Sequence, residues 1–154
     1  MKIFSIVIIA FYLLFFVQIS KAQNTKKSSV GLNHIALYVF NLDKSAAFYR
    51  DIIQLDTISE PFHDGKHNWF KIGEHSQLHL IKGAAATTLH DKNTHICFSV
   101  PSVTIFLQRL KEINIGYENW GGQQNTVTTR PDGVHQIYLK DPEGFWVEIN
   151  DDKF

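Results

Sequence analysis

LNHIALYV, residues 32–39, returns as NTHICFSV at residues 93–100. A histidine holds the same place in both copies, His34 and His95, 61 residues apart. In the first copy Ile35, Leu37 and Val39 alternate with His34, Ala36 and Tyr38, the period of a strand with two unlike faces. The apolar set is expected to pack on helices and the other set to line a pocket. A strand repeated with its histidine in phase points to a duplicated module and to a site between the copies.

Each copy continues the same way. After the first strand, Asn41 or Asp43 can cap a helix whose stripe is Leu42, Ala46, Tyr49 and Ile53. Strands are expected near 57–62, 67–72 and 77–82, giving the order βαβββ. After the second, Ser102 caps a helix with the stripe Val103, Leu107 and Leu110, followed by strands near 115–120, 126–130, 134–140 and 144–150. That is one strand too many, and part of 120–132, rich in Gly, Asn and Thr, is expected to be a loop over the pocket. Asp141-Pro142-Glu143-Gly144 reads as a tight turn joining the last two strands. Residues 83–88 read as the linker between modules 30–82 and 93–151. The last strands also align, QLHLI (77–81) on WVEIN (146–150), which makes His79 and Glu148 equivalent and turns both toward the pocket of His34 and His95.

Composition narrows the function. Lys2 followed by the apolar run Ile3 to Val17 reads as a secretory signal rather than a membrane span, which needs roughly 20 residues. Ser20 and Ala22 place the expected cut before Gln23, residues 23–29 form a polar leader, and the domain runs over 30–151. The mature domain is thus expected outside the cytoplasm, periplasmic or extracellular, with no membrane partner. Cys97 is the single cysteine, which excludes an intramolecular disulfide and a CxxC site. The chain carries 15 basic and 15 acidic residues with no basic stripe, which argues against nucleic acid as a partner.

The stretches NHIALYVFNLDKSAAFYRDIIQL, THICFSV and DPEGFWVEIND resemble the vicinal oxygen chelate superfamily, which includes glyoxalase I, bleomycin-binding proteins, fosfomycin-resistance enzymes and extradiol dioxygenases. The resemblance spans Val30 to Asp151. It implies an α+β fold of two βαβββ modules, a half-barrel-like curved mixed sheet around a metal pocket with helices on the outer face. It implies metal ligands at His34, His79, His95 and Glu148. Three imidazoles and a carboxylate suit one divalent ion, Zn, Ni, Fe or Mn, and the lack of thiolate argues against a purely structural zinc. A lone strand histidine is more often a packed one; four symmetry-related positions that all hold ligand side chains favour a metal.

The resemblance implies an enzyme on a small oxygenated substrate, with lactoylglutathione lyase-like isomerase or lyase chemistry and Glu148 as catalytic base. His79, where glyoxalase I proteins carry glutamate, and the exported location set this chain apart from that enzyme. Ring cleavage by an extradiol dioxygenase, fosfomycin-type thiol transfer and non-enzymatic ligand binding are the competing activities. Tyr38, Trp69, Cys97, Trp120, Arg130, Tyr138 and Trp146 are candidate pocket residues, with Cys97 read as a small filler rather than a nucleophile. His63, His67, His75 and His90 are read as solvated, and His135 as either pocket rim or exposed strand. The site can close within one chain or between two copies, and we favour a homodimer.

Overall fold

The strand sets Leu37/Val39 and Val147/Ile149 are buried in one hydrophobic cluster together with the stripes of both helices. The computed structural model describes residues Val30–Lys153, so the signal and leader readings lie outside the described residues. The chain from Leu32 onward is one unit. No helix among the described residues is long and apolar enough to cross a membrane.

The first module comprises β1 (His34–Val39), α1 (Leu42–Ala47), β2 (Thr57–Ile58), β3 (His67–Lys71) and β4 (Gln77–Lys82). Asn41 is the cap of α1, its side chain accepting the Lys44 N–H. The helix continues as a π-helical turn over Phe48–Ile52, and Leu42, Ala46, Tyr49 and Ile53 are all buried. The second module comprises β5 (His95–Ser99), α2 (Val103–Glu112), β6 (Thr128–Thr129), β7 (His135–Lys140) and β8 (Trp146–Asn150). Ser102 caps α2, and Val103, Phe106 and Leu110 are its buried stripe, with Leu107 only partly buried.

The α+β class and the two βαβββ modules agree with the repeat. The eight strands form two separate four-stranded sheets, in the orders β1-β4-β3-β2 and β5-β8-β7-β6, rather than one curved sheet within the chain. The registers match as well. Ala36 pairs with His79, which pairs with Trp69; Cys97 pairs with Glu148, which pairs with Tyr138. His79 and Glu148 are therefore equivalent rungs.

The expected strand at 115–120 is not one. Glu118 makes isolated bridges to Gln124 and Tyr138, and the chain from there to β6 is loop. The Gly144 turn joins β7 to β8 as expected, and its two carboxylates do more than turn the chain. Asp141 and Glu143 are both buried. Asp141 accepts the Tyr49 hydroxyl at 3.0 Å. Glu143 accepts the N–H groups of Phe40 and Asn41 at 2.8 and 2.9 Å, at the start of α1. Arg109 of α2 in turn donates to the carbonyls of Asp51 and Ile52 at the end of the π-turn. Helix faces and turn carboxylates thus lock the modules through their helix sides.

Candidate functional site

Packing both inner sheet faces into one core leaves the opposite faces open, and these carry the predicted ligands. The structure brings them together in two pairs, not four. Among the described residues no cluster of three or more His, Cys, Asp or Glu is placed to share an ion.

On the open face of the second sheet, His95 Nδ1 lies 2.8 Å from the Lys92 carbonyl. A carbonyl only accepts, so Nδ1 holds the proton and Nε2 of the neutral ring carries the lone pair. Nε2 faces Glu148 Oε2 at 3.1 Å. Two acceptors at that distance call for a positive charge between them, a proton or a metal ion. Bonds of about 2.1 Å at 90–110° place two ligands of one ion about 3.0–3.4 Å apart, so this pair fits a divalent metal. Glu148 is buried and oriented from two sides. Tyr138 Oη donates to Oε2 at 2.6 Å, and Asn150 Nδ2 donates to Oε1 at 3.0 Å. Gln136 donates to Tyr138 Oη at 2.8 Å. Burial first, then the Glu148 carboxylate, holds the Tyr138 phenol well above its ordinary pKa, so it stays a donor.

On the first sheet, His34 Nδ1 pairs with Asn33 Oδ1 at 2.7 Å, again leaving Nε2 free. His79 is the middle of a stack, with Trp69 at 3.8 Å on one side and His34 at 4.4 Å on the other. Its Nε2 is engaged by Gln77 Oε1 at 2.8 Å. Burial, then the neighbouring His34 and His67, lowers its pKa and favours the neutral ring, and with Nε2 donating to the Gln77 oxygen the lone pair lies on Nδ1. This half-site is open: His34 is exposed, as is Tyr38, which lies against the backbone of Gly83.

The predicted pocket residues divide. Trp69, Cys97, Tyr138 and Trp146 lie on the open faces beside the ligands. Asn150 Nδ2 donates to the Cys97 sulfur at 3.1 Å, and desolvation by its neighbours, then the Glu148 carboxylate, pushes the thiol of this exposed residue up to about 12, against a nucleophilic role. Trp120 sits on the loop, edge-on to Tyr138 at 5.6 Å. Arg130 is engaged by Asp132 and, at 3.3 Å, by Asp152. His135 is exposed and pairs with Asp151 at 3.1 Å. His63 and His75 are exposed as expected, but His67 is partly buried against Phe62 and 2.9 Å from Asp64, and His90 stacks on Phe145 at 3.8 Å. The correction has one cause: each ring has an aromatic neighbour from an adjacent segment, which composition does not reveal.

Sequence reasoning missed Lys92 and Asn150. Asn150 was findable, since it shares a face with Glu148 two residues away. Lys92 was not, because it precedes the strand. Its ammonium pairs with Glu118, donates to the carbonyls of Asn119 and Trp120 at 3.2 Å, and lies 4.5 Å over the Trp146 ring, tying the loop to the open face.

The family model described as glyoxalase/bleomycin resistance protein/dioxygenase superfamily matches residues 31–149. A lactoylglutathione lyase of Pseudomonas putida is 26% identical over 151 residues, 76% of this chain and 82% of its own length. The metallothiol transferase FosB of Shouchella clausii (strain KSM-K16) is 26% identical over 122 residues, 78% of this chain and 79% of its own. Among solved structures, oxidase ChaP-H2 superposes with a TM-score of 0.67 at 22% identity, over 82% of this chain and 97% of its own, a likeness of fold.

Proposed function

Because the chain belongs to the glyoxalase/bleomycin resistance protein/dioxygenase superfamily, we propose that it is a metal-dependent enzyme of the glyoxalase-I type, a lyase or isomerase on a small oxygenated substrate. The observation that carries the reading is His95 Nε2 held 3.1 Å from a buried Glu148 oxygen. His34 and His79 occupy the equivalent rungs of the other sheet. In one chain the two pairs lie on open faces of different sheets, both backed by the shared core. The four donors, His34 and His79 with His95 and Glu148, therefore meet when the first sheet of one copy faces the second sheet of another, and we propose a homodimer with composite sites.

A divalent ion held there would polarise adjacent substrate oxygens and stabilise negative charge on them. Glu148 is the general base. Its Oε1 accepts the Asn150 amide and is the oxygen we assign to take a proton from carbon and return it to the next carbon. Tyr138 and Asn150 fix the carboxylate so that little reorganisation accompanies that transfer.

We also propose that residues 1–22 are removed on export and that the modules are 30–82 and 93–151; the mass of the chain recovered outside the cytoplasm tests the first point. For the site, the test is metal analysis with His34→Ala and Glu148→Gln, alone and co-refolded. Each variant alone should lose stoichiometric metal, and the mixture should regain it in mixed dimers, where one site has all four donors. A wild-type chain without stoichiometric divalent metal would remove the reading. With metal present, turnover of methylglyoxal–thiol adducts rather than catechols separates the isomerase from a dioxygenase.

A further inference from the structure

The open faces hold a second repeated feature. The rung of His34 runs through Gln77 to Lys71, and the rung of His95 runs through Trp146 to Lys140. Each module thus places a lysine two strands from its histidine, about 10 Å across the sheet. The surroundings of the two lysines differ. Lys71 stands beside Gln77, exposed at the end of its strand. Lys140 stands beside a cavity of about 260 Å³ lined by Glu118, Gln124, Tyr138 and Trp146. Its ammonium lies 4.4 Å over the ring of Trp146, which is itself buried and anchored by an N–H bond to the His90 carbonyl at 3.0 Å.

The two charged residues that line this cavity, Glu118 and Lys140, do not pair with each other. Glu118 is its acidic residue, and both Glu118 oxygens are used, one by Lys92 and the other by the Gln124 amide at 2.8 Å. Lys140 makes no ion pair among the described residues, so its ammonium has no carboxylate partner at the cavity. Tyr138 connects the cavity to the ligand pair, lining it with its ring while its hydroxyl donates to Glu148.

We propose that Lys140, backed by Trp146, binds a carboxylate group of the substrate beside the His95–Glu148 half-site. This names the substrate class of the proposed enzyme, an oxygenated small carboxylate, and in that respect rests on the function proposed above. The polarised Trp146 face holds the ammonium in place without neutralising it, so an incoming carboxylate gains a charge-assisted hydrogen bond at little ordering cost.

The test is an NMR titration of the full chain without added metal, using propanoate and its neutral isostere propanamide. Propanoate should shift the resonances of Lys140 and Trp146, and propanamide should not. Lys140→Gln should weaken propanoate binding about tenfold, the effect of one charge-assisted hydrogen bond. Lys140→Arg should keep binding within about threefold, and Lys71→Gln should leave it unchanged. Equal shifts from both probes, or undiminished binding to Lys140→Gln, would overturn the subsite. A chain that takes up no metal yet binds propanoate through Lys140 would retain the subsite and remove the metal reading alone.

Discussion

Replacing Glu143 by glutamine changes one oxygen of a buried side chain to an amide nitrogen, and the structure sets the consequence. Glu143 is 2% exposed. Its two oxygens accept the Phe40 N–H at 2.8 Å, the Asn41 N–H at 2.9 Å and the Ser45 hydroxyl at 3.3 Å. A glutamine can serve one of those N–H groups. Its NH₂ then meets the other donor, leaving a buried N–H unsatisfied at about 1–3 kcal/mol. Loss of the negative charge at the start of α1 adds about 0.5–1 kcal/mol. We expect Glu143→Gln to cost about 3 kcal/mol, which at a slope near 1.5 kcal/mol/M lowers the urea midpoint by about 2 M. Ser45→Ala removes only the longest contact and should cost about 0.5–1.5 kcal/mol. Equilibrium urea unfolding followed by tryptophan fluorescence is the assay. A midpoint shift for Glu143→Gln below that of Ser45→Ala would show that the carboxylate does not join the modules as described.

Gly144→Ala should destabilise by more than about 2 kcal/mol in thermal unfolding, because φ is +92° and a Cβ would lie 2.2 Å from the Thr88 carbonyl oxygen, which is backbone and cannot swing aside. Burial raises the Asp141 pKa above its unfolded value of about 3.9, although the N–H groups of Phe145 and Glu143 and the Tyr49 hydroxyl oppose the shift. The folded state then holds its proton longer, so wild-type stability relative to Asp141→Asn should fall as pH rises from about 3.9 through the folded pKa and level off above it. Urea midpoints over that range that instead diverge in favour of wild type with rising pH would contradict the assignment. Tyr138→Phe leaves Glu148 Oε2 without its 2.6 Å donor and should lower metal affinity about tenfold or more, measured by competition with a chelator.

Much of this was legible in the chain because both periodicities are strong. Alternation in LNHIALYV placed Leu37 and Val39 in the core and His34 on the open face, and the aligned last strands put His79 and Glu148 on matching rungs, as the registers show. Where the reading erred, the cause was a contact made from elsewhere in the chain. The segment 115–120 has strand-like apolar residues, but only Glu118 reaches β7, because the loop bends at Asn119 to satisfy the Gln123 N–H and the Lys92 ammonium. The role of Asp141 and Glu143 was hidden because turn propensity explains Asp-Pro-Glu-Gly locally, and nothing local reveals that the N–H groups of Phe40 and Asn41 lie opposite.

The separation of the ligand pairs within one chain was not legible in the sequence for a deeper reason. Strand alternation decides which face a side chain takes, but not which face of which sheet it opposes. That depends on what the apolar faces do. Leu37, Leu80, Ile137 and Ile149 all enter one core with Tyr49 and Leu110 of the helical segments, and the contacts of Arg109, Asp141 and Glu143 close that core across the modules. Once both inner faces are used in this way, each open face keeps two of the four predicted donors. A pair of donors holds a divalent ion weakly beside the three or four that enzymes use. In the proposed dimer, metal affinity is therefore tied to assembly. Metal occupancy should fall on dilution in step with the loss of dimer, and a metal affinity independent of chain concentration across the dimer–monomer transition would show that one chain gathers the donors by itself.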